Sequence, residues 1–235
     1  MSNELSVFRS ENKYVLSYTQ AVSLQSKLDR VLLRDGHSGE QGYTVRSLYF
    51  DSINHIDFYT KLAGTELRKK IRLRVYSPND TTCKLEVKQK NGDLQHKISL
   101  VITKDDAQEL IKGNFGVLTQ YFSQSENAVY IYETMTLGCY RPVVLVEYDR
   151  AAYTYPRYDT RLTFDMRIRS SESNFDLFAP APMYTPALRE RVVLEVKYNE
   201  KLMGFISEIL KPYHLSRTAV SKYCMGRKLF YEFID

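Results

Sequence analysis

Charged and apolar residues alternate in several strand-like stretches of this 235-residue chain. These stretches lie at residues 72–74, 84–90, 161–167 and 195–197. Because side chains on a strand point alternately to the two faces of a sheet, each stretch places its charges on one face. The charges are mostly basic, with an acidic residue nearby. We therefore expect them to face inward and line the bore of a closed β-barrel that holds a polyanion.

Cations at this spacing suit a chain of phosphates. Arg72 and Arg74 stand on one face of a predicted strand, about 7 Å apart, and guanidinium groups bind phosphate oxygens through paired hydrogen bonds. On the next strand, Lys88 and Lys90 follow Glu86 on one face. Such rows would place cations beside successive phosphates.

A divalent cation would accompany the phosphates, since Mg²⁺ or Mn²⁺ usually bridges phosphate oxygens and one or two carboxylates. Glu195 is the first candidate ligand because it interrupts an apolar strand at 192–196. A charge in such a strand is costly unless it is paired or binds a metal. The alternative is that the charged faces are the solvent side of amphipathic strands, joined by cross-strand Lys–Glu pairs. The recurrence of basic strands favours the inward orientation.

The charges require a sheet of about eight strands to position them. We predict strands at 7–18, 43–50, 67–76, 82–90, 94–102, 142–153, 160–169 and 191–198, with Asn91-Gly92 as a hairpin turn. We predict helices at 19–34 with Thr19 as the N-cap, and at 53–62, 104–112, 117–135, 199–211 and 217–233. The expected fold is a single α+β domain over residues 1–235, a closed antiparallel eight-stranded β-barrel with flanking helices.

Composition limits the function classes. No apolar run reaches the 18 residues that a membrane-spanning helix needs, and the first residues lack the features of a secretory signal. Three scattered cysteines fit a reducing compartment, so we expect a cytoplasmic protein. No GxxxxGK[ST], GxGxxG or GxSxG motif is present, and aromatic residues rarely alternate with basic ones. Nucleic acid is therefore not an expected partner.

The charged stretches also carry a resemblance to a known family. Seven motifs occur in the order seen in the VTC domain: Ser47–Ser52, Arg72–Tyr76, Leu85–Lys88, Tyr148–Tyr153, Arg161–Asp165, Val193–Lys197 and Ser221–Tyr223. The VTC domain is the polyphosphate polymerase domain of the vacuolar transporter chaperone complex, and it occurs also as free-standing bacterial proteins. It belongs to the CYTH-like triphosphate tunnel metalloenzymes. The sequence is thus similar to a free-standing bacterial VTC protein from about Arg9 to Gly226.

The resemblance implies an enzyme that transfers the γ-phosphate of ATP to a growing polyphosphate chain, inside a tunnel and with Mn²⁺ or Mg²⁺. It implies that Arg72, Arg74 and Lys88 are the catalytic cations. The further phosphate ligands that it implies are Lys13, Arg9, Lys97, Arg150, Arg161 and Lys222. The candidate metal ligands are Glu195 and Glu86.

Other features separate the branches of this superfamily. The Arg9-x-Glu11-x-Lys13 strand resembles the ExExK strand of CYTH proteins with its first Glu replaced by Arg, which favours the polymerase branch. A triphosphatase is the first alternative, with water as the acceptor. The carboxylates available for a metal-activated water would be Glu11, Glu86, Glu147 and Glu195. A polyphosphate-binding module without catalysis is the second.

Two positions depart from the family pattern. The final helix of membrane-embedded relatives has two lysines three residues apart, whereas here Lys222 is present, position 219 is Ala, and Arg217 is the nearest substitute. Strict alternation also places Arg150 on the face opposite Asp149, so that a β-bulge would be needed to bring both to one face.

Overall fold

Long antiparallel strands dominate the fold. The computed structural model describes residues 9–39, 42–92 and 94–231. Its strands are β1 (Arg9–Ser17), β2 (Leu33–Arg34), β3 (Tyr43–Asp51), β4 (Arg68–Val75), β5 (Thr82–Asn91), β6 (Leu94–Thr103), β7 (Arg141–Tyr155), β8 (Thr160–Ser171), β9 (Thr185–Pro186) and β10 (Arg191–Asn199). All eight predicted strands are present. Residues 7 and 8 of the first predicted strand lie outside the described residues, and the other bounds differ from the prediction by no more than two residues.

The strand order has two ends. Neighbouring strands follow the order β1-β10-β8-β7-β3-β4-β5-β6, while β2 pairs with β7 and β9 pairs with β8. Between the described residues, no pairing joins β1 to β6. The α+β class with a large antiparallel sheet is therefore confirmed, whereas the closed eight-stranded barrel is not: the sheet has ten strands and is open at β1 and β6.

Helices connect the strands. They are α1 (Tyr18–Leu28), α2 (Ile56–Ala63), α3 (Lys104–Ile111), α4 (Glu126–Leu137), α5 (Gly204–Leu210) and α6 (Lys222–Tyr231), with 3₁₀ turns at Phe115–Tyr121, Arg157–Asp159 and Lys211–Tyr213. Across the described ranges, no helix combines the length and apolar character needed to cross a membrane.

α1 ends at Leu28, and α5 and α6 begin later than predicted, at Gly204 and Lys222. Local hydrogen bonds explain two other differences from the predicted helices. α1 begins after Ser17 rather than Thr19, because Ser17 and Gln20 form a capping box: the Ser17 hydroxyl accepts from the Gln20 amide at 3.2 Å, and the Gln20 side chain accepts from the Ser17 amide at 2.9 Å. The predicted helix at 117–135 is divided in two. Ser125 accepts from the Asn127 amide and starts α4 as a separate helix.

The Cα positions group into two compact units. Of the described residues, the first comprises 9–39, 42–44, 148–168 and 188–220, and the second comprises 45–92, 94–147, 169–187 and 221–231. The single domain over residues 1–235 stays a prediction.

In the first unit, the apolar face of β1, β10 and β8 packs against helices. Leu16, Leu194 and Phe164, one from each strand, are fully buried with Leu24 of α1 and Ile206 of α5 in a single cluster. Burial of such side chains stabilises the fold by about 1.5–3 kcal/mol each. Residues one position away along these strands therefore point to the opposite face, which carries the charges.

The second unit repeats this arrangement with different elements. Leu73 of β4, Leu85 of β5 and Ile98 of β6 are buried with Leu110 of α3 and Ile131 of α4. Helices thus cover the apolar face, and the alternate residues of the same strands form the charged face.

Candidate functional site

The charged face of the second unit is centred on one buried carboxylate. In the strand register, Arg72 lies opposite Glu86, Lys70 opposite Lys88, and Lys88 opposite Lys97. Directly opposed residues in an antiparallel pair share a face. We call this group, completed by Arg74, the Glu86 cluster.

Three cations contact the Glu86 carboxylate. Arg72 donates to Oε2 from Nε at 2.8 Å, its Nη2 forms an ion pair with this oxygen at 2.7 Å, and Arg74 Nη1 lies 3.9 Å from it. Lys97 Nζ forms an ion pair with Oε1. Glu86 is 1% exposed, and the side chains of Arg72 and Arg74 are only 12% and 11% exposed. The solvent-side alternative does not account for these two arginines, because an outward face would leave them in water.

The cations keep Glu86 ionised. Burial by itself raises the pKa of this carboxyl group, but Arg72 and Arg74, together with the hydrogen bond from Lys97, lower it far below its ordinary value. Glu86 therefore acts as a permanent counter-ion to its three partners. A carboxylate held this way is a poor ligand for a further cation, and its assignment as a metal ligand stays a prediction that its surroundings do not favour.

The structure adds residues to this cluster that the sequence analysis did not assign. Arg72 Nη1 donates to the Tyr49 hydroxyl at 3.3 Å, and Arg74 Nε donates to the Ser47 hydroxyl at 3.3 Å. Lys70 Nζ donates to the Ser221 hydroxyl at 2.7 Å. Alternation gave a signal for Lys70, since it stands two residues before Arg72. The contact with Ser221 had no sequence signal, because 151 positions separate the partners.

Two predicted phosphate ligands lie close to these contacts along the chain. Lys88 of β5 is half-buried and stands between Lys70 and Lys97 in the register. Lys222 is the first residue of α6, next to Ser221, and it is half-buried as well. The register therefore brings Lys88 of β5 together with the arginines of β4. The Lys70–Ser221 hydrogen bond holds the start of α6 to β4.

The charged face of the first unit has a different composition. Glu11 and Lys13 of β1 lie opposite Lys197 and Glu195 of β10, respectively. We call these four residues the Glu195 cluster. Lys13 Nζ lies 2.7 Å from Glu11 Oε1 and 3.6 Å from Glu195 Oε2, and Lys197 Nζ lies 2.5 Å from Glu195 Oε1 and 3.5 Å from Glu11 Oε2. Each lysine thus bridges the two glutamates.

This arrangement holds two carboxylates side by side. Burial and the neighbouring Glu195 both raise the pKa of Glu11, but Lys13 and Lys197 outweigh them and the net shift is downward. Both lysines therefore offset the repulsion between the paired glutamates.

The donor set of the Glu195 cluster fits a hard divalent cation. Thr163 lies opposite Glu195 in the register, and its buried hydroxyl has no hydrogen-bond partner among the described residues. Paired carboxylates and a hydroxyl are the oxygen ligands that Mg²⁺ and Mn²⁺ prefer. Within the described ranges, no group of three or more His, Cys, Asp or Glu side chains is arranged to hold a metal. The assignment of Glu195 as a metal ligand stays a prediction, which its pairing with Glu11 favours.

Arg150 lies on the face that alternation predicts. Its Nε and Nη2 donate to the two Asp165 oxygens at 2.7 and 2.9 Å, and its guanidinium group stacks over the Tyr148 ring. Burial lowers the pKa of Arg150, but Asp165 and Glu195 are among the groups that raise it, and the net shift is upward. Arg150 thus lies near the Glu195 cluster without a β-bulge in β7.

The neighbouring carboxylate has a separate partner. Asp149 accepts from Arg167 Nε at 2.6 Å. Because Asp165 and Arg167 pair with adjacent residues of β7, the alternation of β8 is interrupted between them. The left-handed backbone at Arg167, with φ of 49°, is the local cause, as in a β-bulge.

Arg161 and Arg9 are the two other predicted phosphate ligands of the first unit. Arg161 donates to the Tyr43 hydroxyl at 3.2 Å and forms an ion pair with Asp35, so its guanidinium group already has an anionic partner. Arg9 begins β1 opposite Asn199, and its side chain lies outside the described residues.

The fold is similar to that of solved structures. A candidate adenylate cyclase from Bacillus halodurans aligns with a TM-score of 0.50 and 14% identity over 96% of each chain. A candidate adenylyl cyclase from Hippeastrum, whose structure is described as revealing a dominant triphosphatase activity, aligns with a TM-score of 0.55 and 16% identity over 93% of this chain and 94% of that chain. At these identities the likeness concerns the fold alone. A sequence comparison with curated proteins gives no match.

The sequence also matches a family directly. The profile of the VTC domain matches residues 8–231, which is nearly the whole chain. The chain therefore belongs to the VTC domain family, and the resemblance drawn from the seven ordered motifs is confirmed. Its assignment to the free-standing bacterial type stays a prediction.

Proposed function

We propose that this protein is a polyphosphate polymerase that transfers the γ-phosphate of ATP to the end of an inorganic polyphosphate chain. ATP and polyphosphate are its partners in this proposal, and Mn²⁺ or Mg²⁺ is its cofactor. The tunnel enclosing the chain belongs to the proposal as well, as does a cytoplasmic location.

The excess of cations around Glu86 carries the proposal. Three cationic side chains contact one carboxylate, and two of these cations are nearly buried. Grouping several cations around one buried carboxylate is costly, and further negative charge nearby would offset that cost. A phosphate chain supplies that negative charge, and its oxygens accept hydrogen bonds from guanidinium groups.

The chain's own residues would act mainly by positioning. Arg72 and Arg74 would hold phosphate oxygens by directed hydrogen bonds, with Glu86 and Tyr49 fixing the guanidinium plane of Arg72. Lys88 would supply a point charge beside them. The terminal phosphate of a growing chain is already an anion, so no general base is required. Phosphoryl transfer of this kind depends on alignment and electrostatic stabilisation rather than on covalent intermediates.

The paired glutamates of the first unit support the assignment of the metal. Glu195, with Glu11, would hold a divalent cation, which when bound neutralises charge on bridging and terminal phosphate oxygens. Lys13 and Lys197, which now compensate both carboxylates, would be left to bind phosphate oxygens. Arg150, fixed to Asp165 by two hydrogen bonds, would contribute positive charge from a set position.

A metal-dependent triphosphatase is the second candidate, and the same glutamate pair favours it. Two adjacent carboxylates can hold a cation and orient a water molecule as the nucleophile. The likeness to the Hippeastrum protein, described with a dominant triphosphatase activity, points in that direction. The reaction would differ only in the acceptor.

Product analysis separates these candidates. The purified protein is incubated with ATP and Mn²⁺, the products are resolved on a gel stained for polyphosphate, and ADP and free phosphate are assayed in parallel. The proposal predicts a ladder of long chains with ADP in proportion. Free phosphate without a ladder would establish the triphosphatase, and neither product would indicate a binding module.

A further inference from the structure

The start of α6 is attached to the second unit on both sides of Lys222. Before Lys222, the Ser221 hydroxyl accepts from Lys70 Nζ at 2.7 Å and from the Cys224 amide at 3.3 Å. After Lys222, the Tyr223 hydroxyl donates to Asp51. The contacts of its two neighbours therefore fix the backbone position of Lys222.

Asp51 is a fully buried anchor. It ends β3, and its Oδ1 accepts from the amides of Ser52 and Asp57 at 2.8 and 3.0 Å, while its Oδ2 accepts from the Phe58 amide at 3.0 Å. The last two amides lie in the first turn of α2, where a carboxylate also interacts favourably with the helix dipole. Three backbone amides thus fix the Asp51 carboxylate, and the Tyr223 hydroxyl donates to this fixed group.

The Tyr223 ring lies between two other aromatic rings. It stacks on Tyr49 with ring centroids 5.2 Å apart, and it meets the edge of Phe58 at 6.1 Å. Tyr49 is the residue whose hydroxyl accepts from Arg72. The contacts Asp51–Tyr223–Tyr49–Arg72 therefore connect the start of α6 to the Glu86 cluster within one unit.

We infer that Asp51, acting through Tyr223, is a positioning residue for phosphate binding, because it fixes the start of α6 so that Lys222 and Arg72 address the same phosphate chain. This inference rests on the proposed function, in which both cations bind phosphate. Neither Asp51 nor Tyr223 would touch the substrate. Their effect on affinity would pass through the lysine.

Tyr223→Phe is the sharpest variant. It keeps the ring that stacks on Tyr49 and removes only the hydroxyl, while the three backbone amides still satisfy Asp51. Tyr184→Phe is the matched control, because the Tyr184 hydroxyl donates to the buried carboxylate of Glu147 at 3.0 Å and has no part in the proposed site. Both variants lose one charge-assisted hydrogen bond, so a similar loss of thermal stability is expected from each.

The readout is the affinity for tripolyphosphate, measured by titration calorimetry at fixed salt. We expect Tyr223→Phe to weaken binding about three- to tenfold, less than the full loss of a charge-assisted hydrogen bond because Tyr223 acts only through the position of Lys222, and Tyr184→Phe to leave it within twofold. A double-mutant cycle with Lys222→Ala then tests the route. If Tyr223 acts through the lysine, Tyr223→Phe weakens binding no further once Lys222 is Ala.

Each outcome bears on one claim. Wild-type protein that does not bind tripolyphosphate overturns the proposed function and this inference with it. Wild-type binding that Lys222→Ala does not weaken overturns the inference alone, as does a Tyr223→Phe effect of equal size in both backgrounds. A Tyr223→Phe effect matched by Tyr184→Phe would show a general loss of stability and would also overturn it.

Discussion

The Glu86 cluster and the Glu195 cluster are built alike but differ in charge balance. Each lies on the strand face opposite a helix-covered apolar core, and each contains a buried glutamate. Three cations contact the single carboxylate of Glu86. In the other cluster, two lysines each contact both Glu195 and Glu11. In the proposed function, the first arrangement binds an anion and the second holds a cation between its two carboxylates.

This difference teaches that a buried glutamate in a basic strand is not by itself a metal ligand. Its role depends on how many cations surround it. Around Glu86 the carboxylate orients arginines, while around Glu195 the lysines offset repulsion between two carboxylates. The following experiments test that contrast.

The largest effect is expected from Arg74→Ala, with Lys84→Ala as its control. The two residues lie opposite each other in β4 and β5, but Arg74 is nearly buried beside Glu86 and Lys84 is exposed. Removing a preorganised charge at the phosphate should lower kcat about 100-fold or more, and Lys84→Ala should stay within about twofold. Equal losses of turnover in the two variants would contradict a site centred on Glu86. Circular dichroism melting checks that Arg74→Ala is folded.

Glu86→Gln tests whether this carboxylate is a structural counter-ion. It would leave Arg72 and its neighbours without their shared anion, and breaking a buried ion pair lowers the free energy of unfolding by about 3 kcal/mol. Urea denaturation measures the change. Glu109→Gln, which breaks the exposed pair between Glu109 and Lys112, should produce no measurable change. Unaltered stability of Glu86→Gln would remove the counter-ion role.

The counter-ion role of Glu86 predicts how the stability of the protein depends on pH. Arg72 and Arg74 outweigh the effect of burial and hold the pKa of Glu86 below its ordinary 4.5. The stability that Glu86 contributes is therefore present above pH 4.5 and is lost as the pH falls through the lower folded-state pKa. Wild-type stability should decline below pH 4.5 more steeply than that of Glu86→Gln, as measured by melting temperature. Parallel profiles would contradict this sign.

Glu195→Gln tests the metal assignment. The Mn²⁺ concentration that gives half-maximal activity should rise about tenfold or more, as is typical when the ligation of a metal is disturbed. Because Glu86 is already bound by three cations, Glu86→Gln should leave that concentration unchanged in whatever fraction of the protein stays folded. The reverse result, with Glu86→Gln altering the response to metal, would exchange the roles of the two glutamates.

The smallest effect concerns Asp57, a buried carboxylate of the second unit that forms no ion pair within the part of the chain that the structure describes. Burial and the nearby Asp51 raise its pKa to about 7. Its unfolded form ionises near 3.8, so its contribution to stability is present below pH 4 and is lost as the pH rises to about 7, opposite in sign to that of Glu86. Asp57→Asn should flatten the melting temperature between pH 4 and 7. An unchanged slope would contradict the raised pKa.

Much of the fold could be predicted because strand alternation is a local property. The eight long strands followed from period-two patterns, and the placement of Arg150 opposite Asp149 followed from the same rule. Closure could not be predicted, since it depends on pairing between the chain's first and sixth strands, which no local pattern specifies. The break between the 3₁₀ turn and α4 at Ser125 was missed because one side-chain cap outweighed helical periodicity.

For the candidate site as well, the residues could be predicted but their contacts could not. Arg72, Arg74 and Lys88 were predicted from their spacing and from the resemblance, and the register does place them on one face. The contacts that orient them were not predictable. The Tyr223–Asp51 bond joins residues 172 positions apart, and such a pairing becomes visible only when the strands and α6 are assembled.

The most direct test of the central claim is a crystal structure of the protein with tripolyphosphate and Mn²⁺. The account predicts phosphate density against Arg72, Arg74 and Lys88, and an anomalous Mn²⁺ peak at the carboxylate of Glu195. Phosphate bound away from the Glu86 cluster, or Mn²⁺ bound to Glu86 instead of Glu195, would contradict it.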